Sequence, residues 1–450
     1  MGPSSAHRFA VFFDTHYCLG TDPALAAGCA ETDDQPRYVW MREHLFPQLV
    51  AELQGHRPEF CVCTGDISEG ARRPDAGVPR RELREVFDRF AAAGLTVFNA
   101  RGTHEPAADY AAEVLPRFSA ALGRSVVEPY FAVDTPWARF VLIEYLSIAP
   151  GNRQAAWVAE QCLSAPAELP LFVFAHAPLA NFARPGFSHE PMRQVLSGVF
   201  AQRPPTVFFC GHTHNQALSY HRTPGGGFVQ IKGSTVGFPA SPLEDLSRRH
   251  LLDLGPGDRY YWGVAEDLAP AYWLVDVAPG RIEAAWHALG QGPLGRIRIR
   301  QDGAAPEVLS APSFPDLLLR PADLPLLRHA TLEYFMLGEG AGELRFELNG
   351  IALGVARPNG TYAGRRHLDL PQAALASLAA ANRLDVHPGK AASWLLGSVR
   401  LSGETYDGRR LAWPIVPEFL ACGAAAERYG RRAACRCVTP GEAVVLDLAL

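Results

Sequence analysis

The sequence predicts a layered α/β domain joined to a smaller β-rich one. Three observations carry this expectation. Short, continuously apolar runs at residues 9–13, 60–64, 95–98, 171–175 and 207–210 have the composition of strands buried on both faces. Segments of helical periodicity stand between several of them. Past residue 325 the pattern changes to strict apolar/polar alternation around an Asn349-Gly350 turn.

Taken in order, residues 9–13 end at Asp14-Thr15-His16, whose carboxylate and imidazole share one side of an extended chain. A polar stretch through Gln35 follows, longer than a tight connection needs, and then a helix pattern over 36–53. The second run delivers Gly65-Asp66. Residues 80–93 read as a helix with Leu83, Val86, Phe87 and Phe90 on one face, ended by Gly94. The third run leads to Arg101-Gly102-Thr103-His104-Glu105, with Pro106 opening another helix. Residues 131–133 and 139–145 suggest a paired hairpin, and 154–163 a helix. The fourth run ends at His176-Ala177-Pro178, followed by a loop containing His189 and a helix over 191–200. The fifth ends at Gly211-His212-Thr213-His214, and a hairpin over residues 224–226 comes next. A layered sheet whose polar residues gather at the carboxyl ends of its strands accounts for this order.

Residues 273–277 and 281–286 resume β alternation, whereas 239–270 give no clear pattern. A shift to Gly, Pro and short polar runs marks an expected linker at 291–324, which divides the chain into a domain of 1–290 and a β-sandwich of 325–450. Strands are expected there at 332–337, 344–348, 383–386, 394–401 and 444–450, with a helix near 371–381. Arg296, Arg298 and Arg300 alternate with Ile297 and Ile299, as on a strand with a solvated basic face.

At 450 residues the chain is long enough for two cores, and 48% hydrophobic with 20% charged residues is ordinary globular composition. A net charge of -5 offers no global attraction for nucleic acid or anionic lipid, so a phosphate-bearing partner must be held locally. Nucleic acid stays open as a partner. Nine cysteines form no regular framework and read as thiols of a reducing compartment. With no apolar leader and no run of membrane-spanning length, a cytoplasmic location without membrane contact is expected.

The strand ends collect Asp14, His16, Asp66, His104, His176, His212 and His214. Two carboxylates and five imidazoles suit Mn, Fe, Zn or Ni rather than Ca or Mg, and the set is too large for one ion. Two divalent or trivalent ions about 3.5–4 Å apart, sharing a carboxylate, use it economically. Each member taken alone could equally be a core histidine or a capping aspartate; five strands ending alike is what makes the set.

These five ordered stretches resemble the signatures of the calcineurin-like metallophosphoesterases over roughly residues 8–240. The resemblance implies a four-layer αββα sandwich with a dinuclear centre. Asp14, His16, Asp66 and His214 would hold one metal and Asp66, His176 and His212 the other, with Asp66 bridging. It also implies hydroxide generated at the metals for attack on a phosphomonoester or phosphodiester, with His104 protonating the leaving group or orienting the phosphate. The family's third signature is Gly-Asn-His, whose asparagine ligates the second metal. Here Thr103 stands in that position, a shorter donor that leaves a water or weaker contact. Residues Ile67-Ser68-Glu69-Gly70 lack the tyrosine of the purple acid phosphatases. Arg101 and His189 are expected substrate contacts, and the loops at 17–35 and 179–190 expected specificity elements.

Two other readings stand beside the hydrolase. Thr103 could mark a catalytically weakened chain that serves as a binding or scaffold module, and the β-sandwich could recognise carbohydrate or another chain, or serve packing or dimerisation.

Overall fold

A computed structural model describes residues 6–19, 41–70, 77–180, 189–214, 216–233, 235, 257–263, 270–290, 292–311, 317–339, 343–356, 364–389, 393–413, 416, 419–429 and 435–449. Its amino-terminal strands are β1 (His7–Phe12), β2 (Phe60–Cys63), β3 (Val97–Asn99), β4 (Phe131–Asp134), β5 (Arg139–Leu142), β6 (Leu171–Phe174) and β7 (Val207–Cys210). They continue as β8 (Ala217–Thr223), β9 (Gly226–Lys232), β10 (Arg259–Gly263), β11 (Ala271–Ala278), β12 (Arg281–Ala288), β13 (Gly292–Ile299) and β14 (Glu307–Ser310). One sheet has the order β14-β13-β12-β11-β1-β2-β3 and the other β10-β8-β9-β7-β6-β5-β4.

The sheets pack face to face through aromatic rings. Phe9 of β1 lies 5.1 Å from Phe140 and 5.0 Å from Phe172 in T-shaped contacts. The outer faces are covered by helices. Phe46, Leu49 and Leu53 of α1 (Phe46–His56) and Leu83, Val86 and Phe90 of α2 (Gly77–Ala92) are buried in the same core as β1 and β2. Between α2 and β4 lie α3 (Ala107–Glu113) and α4 (Leu115–Leu122). Across the molecule, Val158 and Cys162 of α5 (Arg153–Leu163) join Leu196 and Val199 of α6 (Glu190–Phe200) against Val141, Val173 and Phe208. This is the expected four-layer αββα sandwich. The α5 start is fixed by Asn152, whose side chain accepts from Ala155 N at 2.9 Å.

Strands β1, β2 and β3 pair in parallel, as do β5, β6, β7 and β9, so the five polar turns come out on one edge of the two sheets. The turns after β1 and β2 are bonded to each other: Asp14 N donates to Gly65 O, His16 N to Asp66 O and Tyr17 N to Ile67 O.

The expected linker at 291–324 needs correction. Its first half supplies β13 and β14 to the first sheet, with Ile297 and Ile299 buried and Arg296 exposed. Periodicity outweighed the Gly- and Pro-rich composition there. The basic face meets Glu283, which stands 3.0 Å from Arg298 and 2.8 Å from Arg281. Residues 317–318 then begin the second β unit, and the helix expected over 371–381 shrinks to α7 (Gln372–Ala376), because residues 381–388 form a strand.

That unit is a sandwich of a seven-stranded and a four-stranded sheet. Leu332, Tyr334 and Met336 face Leu344, Phe346 and Leu348 across its core, which also holds Trp394 and Trp413. The Asn349-Gly350 turn has φ of 52° and 79°, the left-handed pair that a tight hairpin requires. A short helix, α8 (Ala424–Tyr429), lies against the larger sheet, and Ala425 and Leu395 join the amino-terminal core.

A buried ion pair crosses the larger sheet: Glu333 and Arg400 are cross-strand neighbours, with Nε to Oε2 at 2.8 Å. Removing the carboxylate would leave a guanidinium without its ion partner in a core position. Glu333→Ala is therefore expected to destabilise this unit by roughly 3–5 kcal/mol, read as a lowered midpoint in urea unfolding.

Candidate metal centre

Six of the expected ligand residues come together where β1, β2, β6 and β7 end. Asp14, His16, Asp66 and His214 present ligand atoms within 4.8 Å of one another, and Asp66, His176 and His212 form a second such group. Asp66 belongs to both.

The backbone delivers these side chains by sharp local bends. Asp14, His16, Asp66, His212 and His214 all adopt left-handed φ, between 42° and 71°. Outside glycine only Arg57 and Asn349 do so among the described residues. Conformations costing about 1–3 kcal/mol each thus cluster at one site. The glycines of the turns are required for space. A Cβ on Gly102 would overlap Asp66 Oδ1, and one on Gly211 would overlap Asp14 Oδ2.

Hydrogen bonds set which nitrogen each imidazole offers. His16 Nδ1 lies 2.5 Å from Glu69 Oε2, so its Nε2 faces His214 Nε2 at 2.9 Å. His176 Nδ1 donates to Thr64 O at 3.2 Å, which turns its Nε2 toward Asp66 Oδ2 at 3.0 Å and His212 Nδ1 at 2.9 Å. Asp14 accepts from His212 N at 3.0 and 3.1 Å.

The electrostatics call for positive charge. Burial, opposed by His176, pushes Asp14 up to about 6, with Asp66 adding to the rise. At Asp66 burial also acts upward, yet His176 and His104 prevail and hold the carboxylate well below its usual range. Burial lowers His176, and Asp66 more than reverses this, bringing it to about 9. A proton on His176 does there what a cation would do for the same oxygens. Paired ring nitrogens at 2.9 Å and deeply buried carboxylates fit two cations.

Several residues here were not singled out in the sequence. Glu69 contacts His16 and also stands 3.3 Å from His104 Nδ1, and both imidazoles hold it well below the usual carboxylate range despite burial. Glu105 lies behind the turn, accepting from Gly102 N at 2.6 Å and Ser68 N at 3.2 Å, and burial with the nearby Asp66 charge pushes it to about 7. Tyr145 packs against His176, His189 and His212. The contacts of Glu69 and Tyr145 arise between elements far apart in the chain. The local signals are Glu69, three residues after Asp66, and Glu105, three after Gly102.

His104 sits at the site, its ring edge-on to His16 at 4.7 Å and its Nε2 3.9 Å from Asp66 Oδ2. Thr103 directs its hydroxyl to Asp66, 3.2 Å from each carboxylate oxygen. Arg101, expected as a substrate contact, is turned inward: Nη1 meets Glu144 at 2.5 Å and Nε donates to Glu105 O at 2.9 Å. Its guanidinium braces the turn, because the buried Glu144 carboxylate needs a cation. His189 caps α6, its Nδ1 accepting from Met192 N at 3.3 Å, and burial lowers its pKa. Of the expected specificity loops, residues 20–35 and 181–188 lie outside the described residues.

A second polar row lies apart from this centre. Ser219 Oγ is 2.8 Å from His221 Nε2, and His221 Nδ1 is 3.2 Å from Asp258. Ser219 is fully buried, so the row anchors Asp258 to β8.

Residues 7–216 match the family model for calcineurin-like phosphoesterases. No curated protein matches the sequence. Among solved structures, the chain is similar to a dimetal phosphatase from Danio rerio at 13% identity and TM-score 0.44, covering 68% of this chain and 99% of that one. It is also similar to a purple acid phosphatase from yellow lupin seeds, at 16% identity and TM-score 0.42, covering 69% of this chain and 55% of that one. An anchor protein of the Plasmodium inner membrane complex overlaps at 10% identity and TM-score 0.42, with coverage of 70% and 91%. Likenesses of this degree carry no argument about activity. Residues 7–216 are thus a calcineurin-like phosphoesterase domain.

Proposed function

We propose that the chain is a metal-dependent hydrolase of phosphomonoesters or phosphodiesters. The observation that carries this reading is the pair of ligand groups joined through the single Asp66 carboxylate. Asp14, His16, Asp66 and His214 hold one ion, and Asp66, His176 and His212 the other. The nitrogen and oxygen donors suit Mn, Fe, Zn or Ni. Two bound cations supply Lewis acidity toward the phosphoryl oxygens and lower the pKa of a water.

The chain's own residues do the rest. Glu69, an ionised carboxylate, accepts from His16 Nδ1 and stands 3.3 Å from His104 Nδ1. This frees His16 Nε2 for ligation, whereas His104, as an imidazolium beside that carboxylate, would carry its second proton on Nε2, on the side of Asp66. Released to the departing alkoxide, that proton would complete bond cleavage. Arg101 positions the 101–105 turn from behind, and His189 stands on the His176 side, where a substrate group could meet it. The substrate is a small phosphoester, held by local contacts.

Among the described residues no helix is long and apolar enough to cross a membrane. Cys61, Cys63, Cys162, Cys210 and Cys422 are buried free thiols and Cys437 an exposed one, which suits a reducing compartment such as the cytoplasm.

Chelation of the purified protein is expected to abolish hydrolysis of an aryl phosphoester, and Mn²⁺ to restore it. Turnover that ignores both treatments would refute the reading. Fewer than one bound ion per chain, with no turnover at any metal concentration, would instead favour the binding-module reading. A panel of cyclic nucleotides, nucleotides, phospholipid head groups and single-stranded DNA would assign the substrate.

A further inference from the structure

Glu105 follows His104 and belongs to none of the candidate ligand groups. Its side chain is fully buried, so it has no access to substrate. What it does is set by how the strand-end turns are joined. The turns after β1 and β2 lie side by side on backbone bonds, Asp14 N to Gly65 O, His16 N to Asp66 O and Tyr17 N to Ile67 O, and Glu69 N returns one to Tyr17 O. Between β2 and β3 the backbone ladder ends lower, at Ala100 N to Cys63 O.

The Glu105 carboxylate takes over where that ladder stops. Its Oε2 accepts from Gly102 N at 2.6 Å within its own turn and from Asp66 N at 3.3 Å in the turn after β2. Its Oε1 accepts from Ser68 N at 3.2 Å. The exchange runs in the other direction as well, because Asp66 Oδ1 accepts from His104 N at 2.8 Å. Each carboxylate is thus bonded to amides of the other's turn, and a reciprocal pair fixes both the separation and the rotation of the two turns, which a single bond does not. Without Glu105, three buried amides lose their acceptor, and only the Asp66 side chain still ties the turns together.

We propose that Glu105 is a positioning residue that locks the turn after β3 onto the turn after β2 and so fixes the Asp66 carboxylate and the His104 imidazole relative to each other. This rests on the dinuclear reading above, and it adds a residue that neither ligates nor transfers a proton.

The test uses the full chain with Glu105→Gln and Glu105→Ala, each titrated with Mn²⁺ by calorimetry, assayed for aryl phosphoester hydrolysis at saturating Mn²⁺ and melted in the metal-free form. Glutamine nearly keeps the shape of glutamate but has one acceptor oxygen, and its NH₂ must oppose at least one of the three amides. Because Asp66 belongs to both ligand groups, Glu105→Gln should weaken both ions by about 10- to 100-fold, and it should lower kcat more than it changes KM. Glu105→Ala should lose more of each, and Glu105→Gln decides where the alanine variant does not fold. A brace of stability alone would lower the melting temperature and leave ion affinities and kcat of the folded protein unchanged. That outcome would overturn the proposal, as would wild-type values throughout in Glu105→Gln. Wild type that takes up fewer than two ions would remove the dinuclear reading itself, whereas two ions in wild type beside an unaffected Glu105→Gln would remove this proposal alone.

Discussion

Asp66→Asn is expected to reduce phosphoester turnover by on the order of 10³-fold or more and to lower the metal content of the purified protein. The substitution is nearly isosteric, and asparagine tolerates the left-handed φ of 50° at this position, so the backbone has little reason to move. What changes is charge. Asp66 is the only carboxylate common to both ligand groups, and it is the main influence holding His176 at about 9 against burial. An amide there offers one neutral oxygen to two cations. Measured kcat together with ion stoichiometry checks the prediction, and a variant with wild-type turnover and two ions would contradict it.

Gly102→Ala tests the geometry of the turn instead of its charge. The added Cβ would overlap Asp66 Oδ1 and the Asp66 amide nitrogen, and the nitrogen is backbone that cannot swing aside as a side-chain end can. The turn must therefore shift, and with it the Thr103 and His104 contacts to Asp66. A misplacement of about 1 Å at a reacting centre can cost on the order of 10²-fold, and a loss of at least that size is expected in kcat/KM. Gly55→Ala is the control: nothing lies within 4 Å of its Cβ, and it should leave kinetics unchanged. Equal kinetics for the two variants would show that the turn has slack the structure does not suggest.

The parts of this molecule that were legible in the sequence share a property: each is local. Apolar runs ending in Asp or His mark β1, β2, β6 and β7 together with the candidate ligand groups at their ends, because strand burial and strand-end polarity are written in consecutive residues. The Asn349-Gly350 hairpin was equally local. What went unread depends on pairs distant in the chain. Glu69 is a loop residue in the sequence, and only the fold sets His16 beside it; Tyr145 reads as the end of a strand, and only the fold sets it against His176 and His212. Arg101 is expected as a substrate contact, and nothing near it in the sequence announces that Glu144, 43 residues on, meets its guanidinium. At β13 the reverse holds: the Gly and Pro content suggests a linker, whereas the alternation of Ile297 and Ile299 marks the strand that forms.

The left-handed bends at the ligand positions have a further consequence for how such a site can vary. Among residues with side chains, Asn, Asp and His are the types most often found at positive φ. Two of those types are also the oxygen and nitrogen donors of the candidate ligand groups. Backbone and coordination chemistry thus admit an overlapping short alphabet at Asp14, His16, Asp66, His212 and His214. Drift toward β-branched or bulky residues is resisted at these five positions even in a descendant that no longer binds metal, and a histidine or aspartate retained there is not by itself a sign of activity. Position 176 is absent from that set of bent residues, so the residue found there reports on ion binding without the backbone's vote.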